Sequence, residues 1–308
     1  MAGTIPSFSS AAWSHIYKRR TDGNLVFYSG RDFLVYFTLF CTVAAKRNIQ
    51  VIGLTLMHDH IHELIQTRSR RIQAAFEQEV NSLFARMWNK DASLEGPFFE
   101  TYGFSQKRDE KYKRNCVAYL ANNPVERKQC ARVEDYRWNF IAYAASPNPY
   151  SEPIRSKHCS RALERAIERV RALHQRGRYL NYTVLSDLTR GIPPQEMQAF
   201  IDTVICIYNI IDYPAATNLY GSYDQMLLAI NANTGNEHEI DESFVGYSDA
   251  VYLKMSRYLM DKKGITDIKS VIRMPPDRKY ELFTPLLRVS GADPRQVGKF
   301  LHYTSHLR

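Results

Sequence analysis

Residues 50–66 read QVIGLTLMHDHIHELIQ, and no other stretch limits the folding options of this chain as tightly. It opens with β-branched residues and then alternates His58, His60 and His62 against Asp59, Ile61 and Glu63. Strict alternation is the mark of extended backbone, whose successive side chains point to opposite faces. The stretch is either two strands joined near residues 57–59 or one long bent strand. In both cases His60 and His62 share a face, while Ile61 turns the other way, toward a core. Two imidazoles so placed can hold one divalent cation from one side. They can equally be surface or hydrogen-bonded histidines on a half-buried strand, and His58 on the same alternation is a rival ligand.

The flanking segments extend the pattern. Residues 10–19 read as a strand ending in the basic cluster Lys18, Arg19 and Arg20, before a turn at 21–24. Residues 31–47 place Phe33, Phe37, Phe40 and Ala44 at helical spacing, and 69–90 do the same with Ile72, Phe76, Val80, Leu83, Phe84 and Met87. Residues 96–104 predict a further strand. Residues 109–122 predict a helix that ends before Pro124, because proline biases Asn123 away from helical geometry. The order β-α-β-β-α-β predicts an α+β fold: a ferredoxin-like antiparallel sheet with helices on one face, followed by a mainly α-helical C-terminal region.

On the 109–122 helix, Tyr119 and Asn123 are four residues apart and share a face. The amide oxygen of Asn123 is a candidate third, neutral metal ligand, with Tyr119 one turn away. The plainer alternatives are a core tyrosine, one of 20 in the chain, and a helix C-cap.

Composition narrows the partner. The 308 residues carry a net charge of +9, which favours a polyanion, either nucleic acid or an acidic membrane surface. Hydrophobic residues make up 44% and charged residues 24%, a globular balance. Five cysteines with no CxxC argue against a disulfide framework or a zinc ribbon and suit a reducing, cytoplasmic setting. No basic-then-apolar export pattern opens the sequence. The longest uncharged apolar runs, 33–45 and 203–211, fall short of the ~20 residues a membrane helix needs, so no membrane partner is expected.

Pro147, Pro149 and Pro153, with Asn148 and Ser151, suggest a linker, and hence domains at 1–148 and 149–308. Helices are predicted at 160–175, 194–211, 222–232 and 248–262. Residues 277–303 form two helical patterns around Ser290-Gly291-Ala292, with Asp293 as N-cap and Pro294 at the first helical position. This is either an αα-hairpin or a helix-turn-helix that would present Arg295, Gln296 and Lys299 to DNA. Arg161, Arg165 and Arg169 line one helix side, to touch DNA or to pair with Glu164 and Glu168. Glu237, His238, Glu239, Asp241 and Glu242 read as a solvated acidic loop or a second metal site.

Three segments together carry a family resemblance. MHDHIHELI resembles the M-P-N-H-x-H-L-L motif of HUH-type single-tyrosine transposases. AYLANNPVERKQCARVEDYRW at 118–138 resembles their R-Y-I-x-x-N-P-V-x-A…P-x-D-Y-x-W block. WSHIYKRRTDGNLVFYSGRDF resembles their Y-H-V-x-x-R…I-F-x-x-x-x-D opening. Order and spacing agree over residues 10–145, most nearly with the REP-associated tyrosine transposases. The resemblance implies His60 and His62 as the paired histidine ligands, Asn123 as the third, Mg²⁺ or Mn²⁺ as the metal, and Tyr119 as nucleophile. It implies cleavage of single-stranded or hairpin DNA through a 5′-phosphotyrosine, with release of a 3′ hydroxyl and rejoining without ATP. It admits a monomer or a homodimer, with the tyrosine serving its own site or a partner's.

The chain departs from the motif in having His58 for proline, Asp59 for asparagine, and Glu63 where the family is apolar. Lys18, Arg19, Arg20, Arg68, Arg70, Arg71, Lys107, Arg108, Lys111, Lys113 and Arg114 flank these segments and are candidates for phosphate contacts. The alternatives are a replication or mobilisation nickase using the same chemistry, and a domesticated, non-cleaving DNA-binding protein.

Overall fold

In the computed structural model, which describes residues 7–154, 159–232 and 248–303, the first half folds as β1 (Trp13–Arg19), α1 (Gly30–Lys46), β2 (Gln50–Leu56), β3 (His60–Gln66), α2 (Arg70–Ala92), β4 (Gly103–Lys107) and α3 (Glu110–Glu126). The histidine-bearing stretch is thus two strands, with the turn at 57–59. The sheet order is β2-β3-β1-β4 with every neighbouring pair antiparallel, the split βαβ arrangement. The fold is α+β, as the element order predicts.

One sheet face carries Ile16, Leu54, Leu56, Ile61 and Ile65. It buries them against Phe33, Phe37 and Phe40 of α1 and Phe76, Val80, Phe84 and Trp88 of α2. Asp32 fixes the start of α1 by accepting the backbone N–H groups of Tyr28 (2.8 Å) and Ser29 (3.0 Å). α3 lies across the opposite face, where Cys116 and Leu120 pack with Trp13, Ile52 and Leu64. The strand pattern did not show that this face is covered as well.

Two boundaries differ from expectation. The strand predicted at 96–104 begins only at Gly103, and before it there is an isolated bridge between Arg20 and Phe99. Phe98 packs edge-on against Trp88, at 4.9 Å between ring centroids, so apart from that bridge this segment is used for burial. The helix predicted to stop before Pro124 runs through it to Glu126. A proline here removes one N–H and leaves the carbonyl four residues earlier, that of Leu120, without its helical donor. Thr55 on β2 supplies the replacement, its buried hydroxyl donating to Leu120 O at 2.9 Å.

The second half is helical: α4 (Arg161–Gln175), α5 (Tyr182–Thr189), α6 (Met197–Tyr208), α7 (Tyr213–Thr217), α8 (Tyr223–Ala232), α9 (Ala250–Lys263), α10 (Pro276–Ser290) and α11 (Pro294–Leu301). α5 and α6 cover the outer side of α1, which explains why that helix is apolar nearly all round. α8 backs α3, and Tyr28 donates its hydroxyl to Phe300 O at 3.1 Å, tying α11 to the first half. Arg161, Arg165 and Arg169 are exposed on α4. The acidic stretch 237–242 lies outside the described residues. Among the described residues no helix is long and apolar enough to cross a membrane.

Candidate active site

Alternation along β3 points His60 and His62 toward α3, while Ile61 enters the core on the other face. The register sets Tyr17 of β1 and Thr55 of β2 on either side of His62. α3 crosses this face with Tyr119 and Asn123 one turn apart. Asn123 Oδ1 lies 3.0 Å from His60 Nε2, and Asn123 Nδ2 donates to His62 Nε2 at 3.1 Å. The two imidazoles meet edge-on, 4.9 Å between centroids. The Tyr119 ring stands edge-on to His62 at 5.2 Å. All four side chains are buried. The structure therefore brings together the four residues that the sequence put on two separate elements.

Outer hydrogen bonds decide which ring nitrogens carry protons. His60 Nδ1 donates to Asp59 Oδ1 at 2.7 Å, and His62 Nδ1 donates to His15 Nε2 at 3.0 Å. Both Nε2 atoms then turn lone pairs toward the Asn123 amide. On the His60 side this sets acceptor against acceptor at 3.0 Å. Such a pair is relieved only by a proton on the nitrogen or by a cation at the junction, so the donor set fits a small cation. Among the described residues no group of three His, Cys, Asp or Glu side chains is placed to hold a metal, and here the third donor is an amide.

The electrostatics agree with these tautomers. Burial holds His62 well below the usual imidazole range, and the neighbouring His60 and His15 add to the effect. Burial, then Lys107, pushes His15 down to about 4, so it stays a neutral acceptor at pH 7. Burial of Asp59 favours its neutral form. The hydrogen bond from His60, with the charge of Lys299, outweighs that and holds the carboxyl well below its usual range.

Each departure from the motif has a structural reason. His58 is engaged elsewhere: its Nδ1 donates to Phe27 O at 2.9 Å and its ring packs against Phe33 and Tyr252. Asp59 holds His60. Glu63 is fully buried on the Ile61 face, where Lys18 (2.5 Å) and the Tyr36 hydroxyl (2.5 Å) meet it.

Two cationic candidates are structural. Lys18 shares the inward face of β1 with Ile16 and is spent on Glu63 and Glu77 (2.8 Å). Arg20 is 4% exposed, paired twice with Asp22, and lies against Trp88 and Phe98. Arg19 is exposed and pairs with Glu100, and Lys113 lies over the Trp13 ring. Arg68, Arg70, Arg71, Arg108, Lys111 and Arg114 are exposed, and Lys107 is half-buried at the end of the edge strand β4. At the C-terminal hairpin Arg295 is exposed. Gln296 is buried in the capping box of α11, and the partly exposed Lys299 directs its ammonium to Asp59 (3.1 Å).

His15 and Thr55 escaped the sequence reading. For His15 a signal existed, since it lies on the Trp13 and Tyr17 face of β1. For Thr55 none did, because its partner carbonyl belongs to a helix predicted to end sooner.

No family model matches this chain, and no curated protein matches it. A solved structure of a REP-associated tyrosine transposase bound to a REP hairpin is similar to it, with a TM-score of 0.40 and 12% sequence identity, over 49% of this chain and 88% of that one.

Proposed function

We propose that this chain cuts and rejoins single-stranded, hairpin-associated DNA as a metal-dependent transposase of the HUH single-tyrosine kind. The observation that carries the reading is the convergence of His60, His62 and Asn123 beside the Tyr119 ring, in the motif order that the sequence shares with that family.

His60, His62 and Asn123 would hold Mg²⁺ or Mn²⁺, which suits a mixed imidazole and amide-oxygen set better than a thiolate-seeking metal does. When bound, the ion offsets the charge of the phosphate oxygens that otherwise repel a nucleophile. Tyr119 then attacks phosphorus. The Tyr119 O–P bond forms and the bond to the 3′ oxygen breaks. The phenol loses its proton and the departing 3′ oxygen gains one, leaving a free 3′ hydroxyl. Attack on the phosphotyrosine by a 3′ hydroxyl reverses the exchange, and no ATP is needed because the ester bond is conserved.

Burial of the Tyr119 ring limits competing water. The half-buried ring of Tyr17, 5.2 Å from His62 and opposite exposed Gly103 on β4, offers a surface for a base beside the scissile phosphate. The exposed arginines and lysines at the starts of α2 and α3 would contact flanking phosphates.

The test is incubation with labelled hairpin-flanked single-stranded DNA and Mn²⁺, followed by a denaturing gel. The wild type should give a covalent adduct and Tyr119→Phe none. An adduct that persists in Tyr119→Phe removes the nucleophile assignment. DNA binding without any adduct identifies a non-cleaving binding protein instead.

A further inference from the structure

Lys299 and Asp59 are 240 positions apart in sequence, yet Lys299 Nζ sits 3.1 Å from Asp59 Oδ2. The other carboxylate oxygen, Oδ1, is the acceptor for His60 Nδ1. The Asp59 side chain is only 12% exposed, so little water screens either contact. Oδ1 meets His60 and Oδ2 meets Lys299, so the Asp59 carboxylate links α11 to Nδ1 of His60.

The helix that delivers Lys299 is firmly seated. A capping box between Asp293 and Gln296 closes its first turn, and Gln296 Nε2 donates to Ser248 O at 3.0 Å. Phe300, fully buried, packs its ring on Tyr28 and Tyr252. A lysine on such a helix holds a carboxylate at a defined point in a way that a loop lysine does not.

We infer that Asp59 and Lys299 are positioning residues of the cation site: Asp59 fixes the ring orientation and the Nδ1–H tautomer of His60, Lys299 fixes Asp59, and α11 thereby sets cation affinity from the far end of the chain. The inference rests on the reading of His60 as a ligand. It gives Lys299 a role other than DNA contact, since its ammonium is directed at a carboxylate within the protein.

Mn²⁺ titration of the full chain, read by the electron paramagnetic resonance signal of the free ion, tests it. Asp59→Asn should weaken binding by about 10- to 100-fold and Lys299→Met by about tenfold, the range usual for partners of ligating histidines. Lys299→Arg should recover most of the affinity. Long-range ¹H–¹⁵N spectra of the metal-free chain should show one His60 tautomer in the wild type and a mixture in Asp59→Asn, a change that a merely stabilising ion pair would not produce. Lys299 is 39% exposed, so its replacement leaves the core filled.

Wild-type affinity in both Lys299→Met and Asp59→Asn, with binding lost in His60→Ala, overturns this inference alone. Absence of Mn²⁺ binding in the wild type overturns it together with the functional reading.

Discussion

The Thr55 hydroxyl donates to the carbonyl of Leu120 at 2.9 Å, four residues before Pro124, and so repairs the gap that proline leaves in α3. Tyr119 and Asn123 lie within this stretch of helix, so one side chain of β2 holds the tyrosine and the amide at their height over the histidines. Thr55→Val keeps the shape and removes the donor. It should cost about 1–3 kcal/mol by urea unfolding, because a buried carbonyl is left unsatisfied. Pro124→Ala restores a helical donor, and in that background Thr55→Val should cost clearly less. A coupling near zero in the double-mutant cycle would show that the two are unrelated.

His15 accepts the hydrogen bond of the His62 Nδ1–H and is itself neutral. His15→Ala should weaken Mn²⁺ binding about 10- to 100-fold. Tyr119→Phe should leave that affinity close to the wild type, since the phenol is needed for attack and not for holding the ion. Equal affinities for His15→Ala and the wild type would remove His15 from the site.

The Lys18, Glu63 and Glu77 cluster is a stability feature with a signed pH dependence. Burial, and then the neighbouring Glu63, raise the Glu77 carboxyl well above its ordinary value of 4.5. An acid raised in this way contributes stability that is complete below the unfolded-state value and is lost as pH rises through the folded-state value. Measured against Glu77→Gln, the wild-type urea midpoint should therefore fall as pH climbs from 4.5, while His15 and His62, held low by burial, move both proteins alike in the opposite direction. Lys18→Met leaves the buried Glu63 and Glu77 side chains without their cation and should cost about 3–5 kcal/mol. A pH-independent difference between Glu77→Gln and the wild type would contradict the assignment.

Basic residues divide by burial, and salt dependence should reveal the division. Arg70→Ala or Arg71→Ala should lower the slope of log affinity for single-stranded DNA against log salt by about 0.7 for each phosphate that is no longer neutralised. Arg20→Ala should leave the slope unchanged and lower the melting temperature instead, because Arg20 is held by Asp22, Trp88 and Phe98. A slope change in Arg20→Ala would place it in the DNA path.

Period-two alternation was enough to put His60 and His62 on one face and Ile61 on the other, because side-chain direction along a strand is a local property. Helical spacing likewise put Tyr119 and Asn123 on one face, and the alternation of segments implied the split βαβ sheet. Tertiary structure decided what those faces meet. Lys18 and Arg20 look alike in sequence to the exposed arginines near β4, and only burial against Glu77 and Trp88 separates them. Pro124 signals a helix end until a hydroxyl on another element takes up the orphan carbonyl. Asp59 and His15 become partners of His60 and His62, and Lys299 the partner of Asp59, only when distant elements close on the same site. Those contacts depend on packing across the whole chain, and a hydrogen bond spanning 240 positions leaves no periodic trace in the residues between.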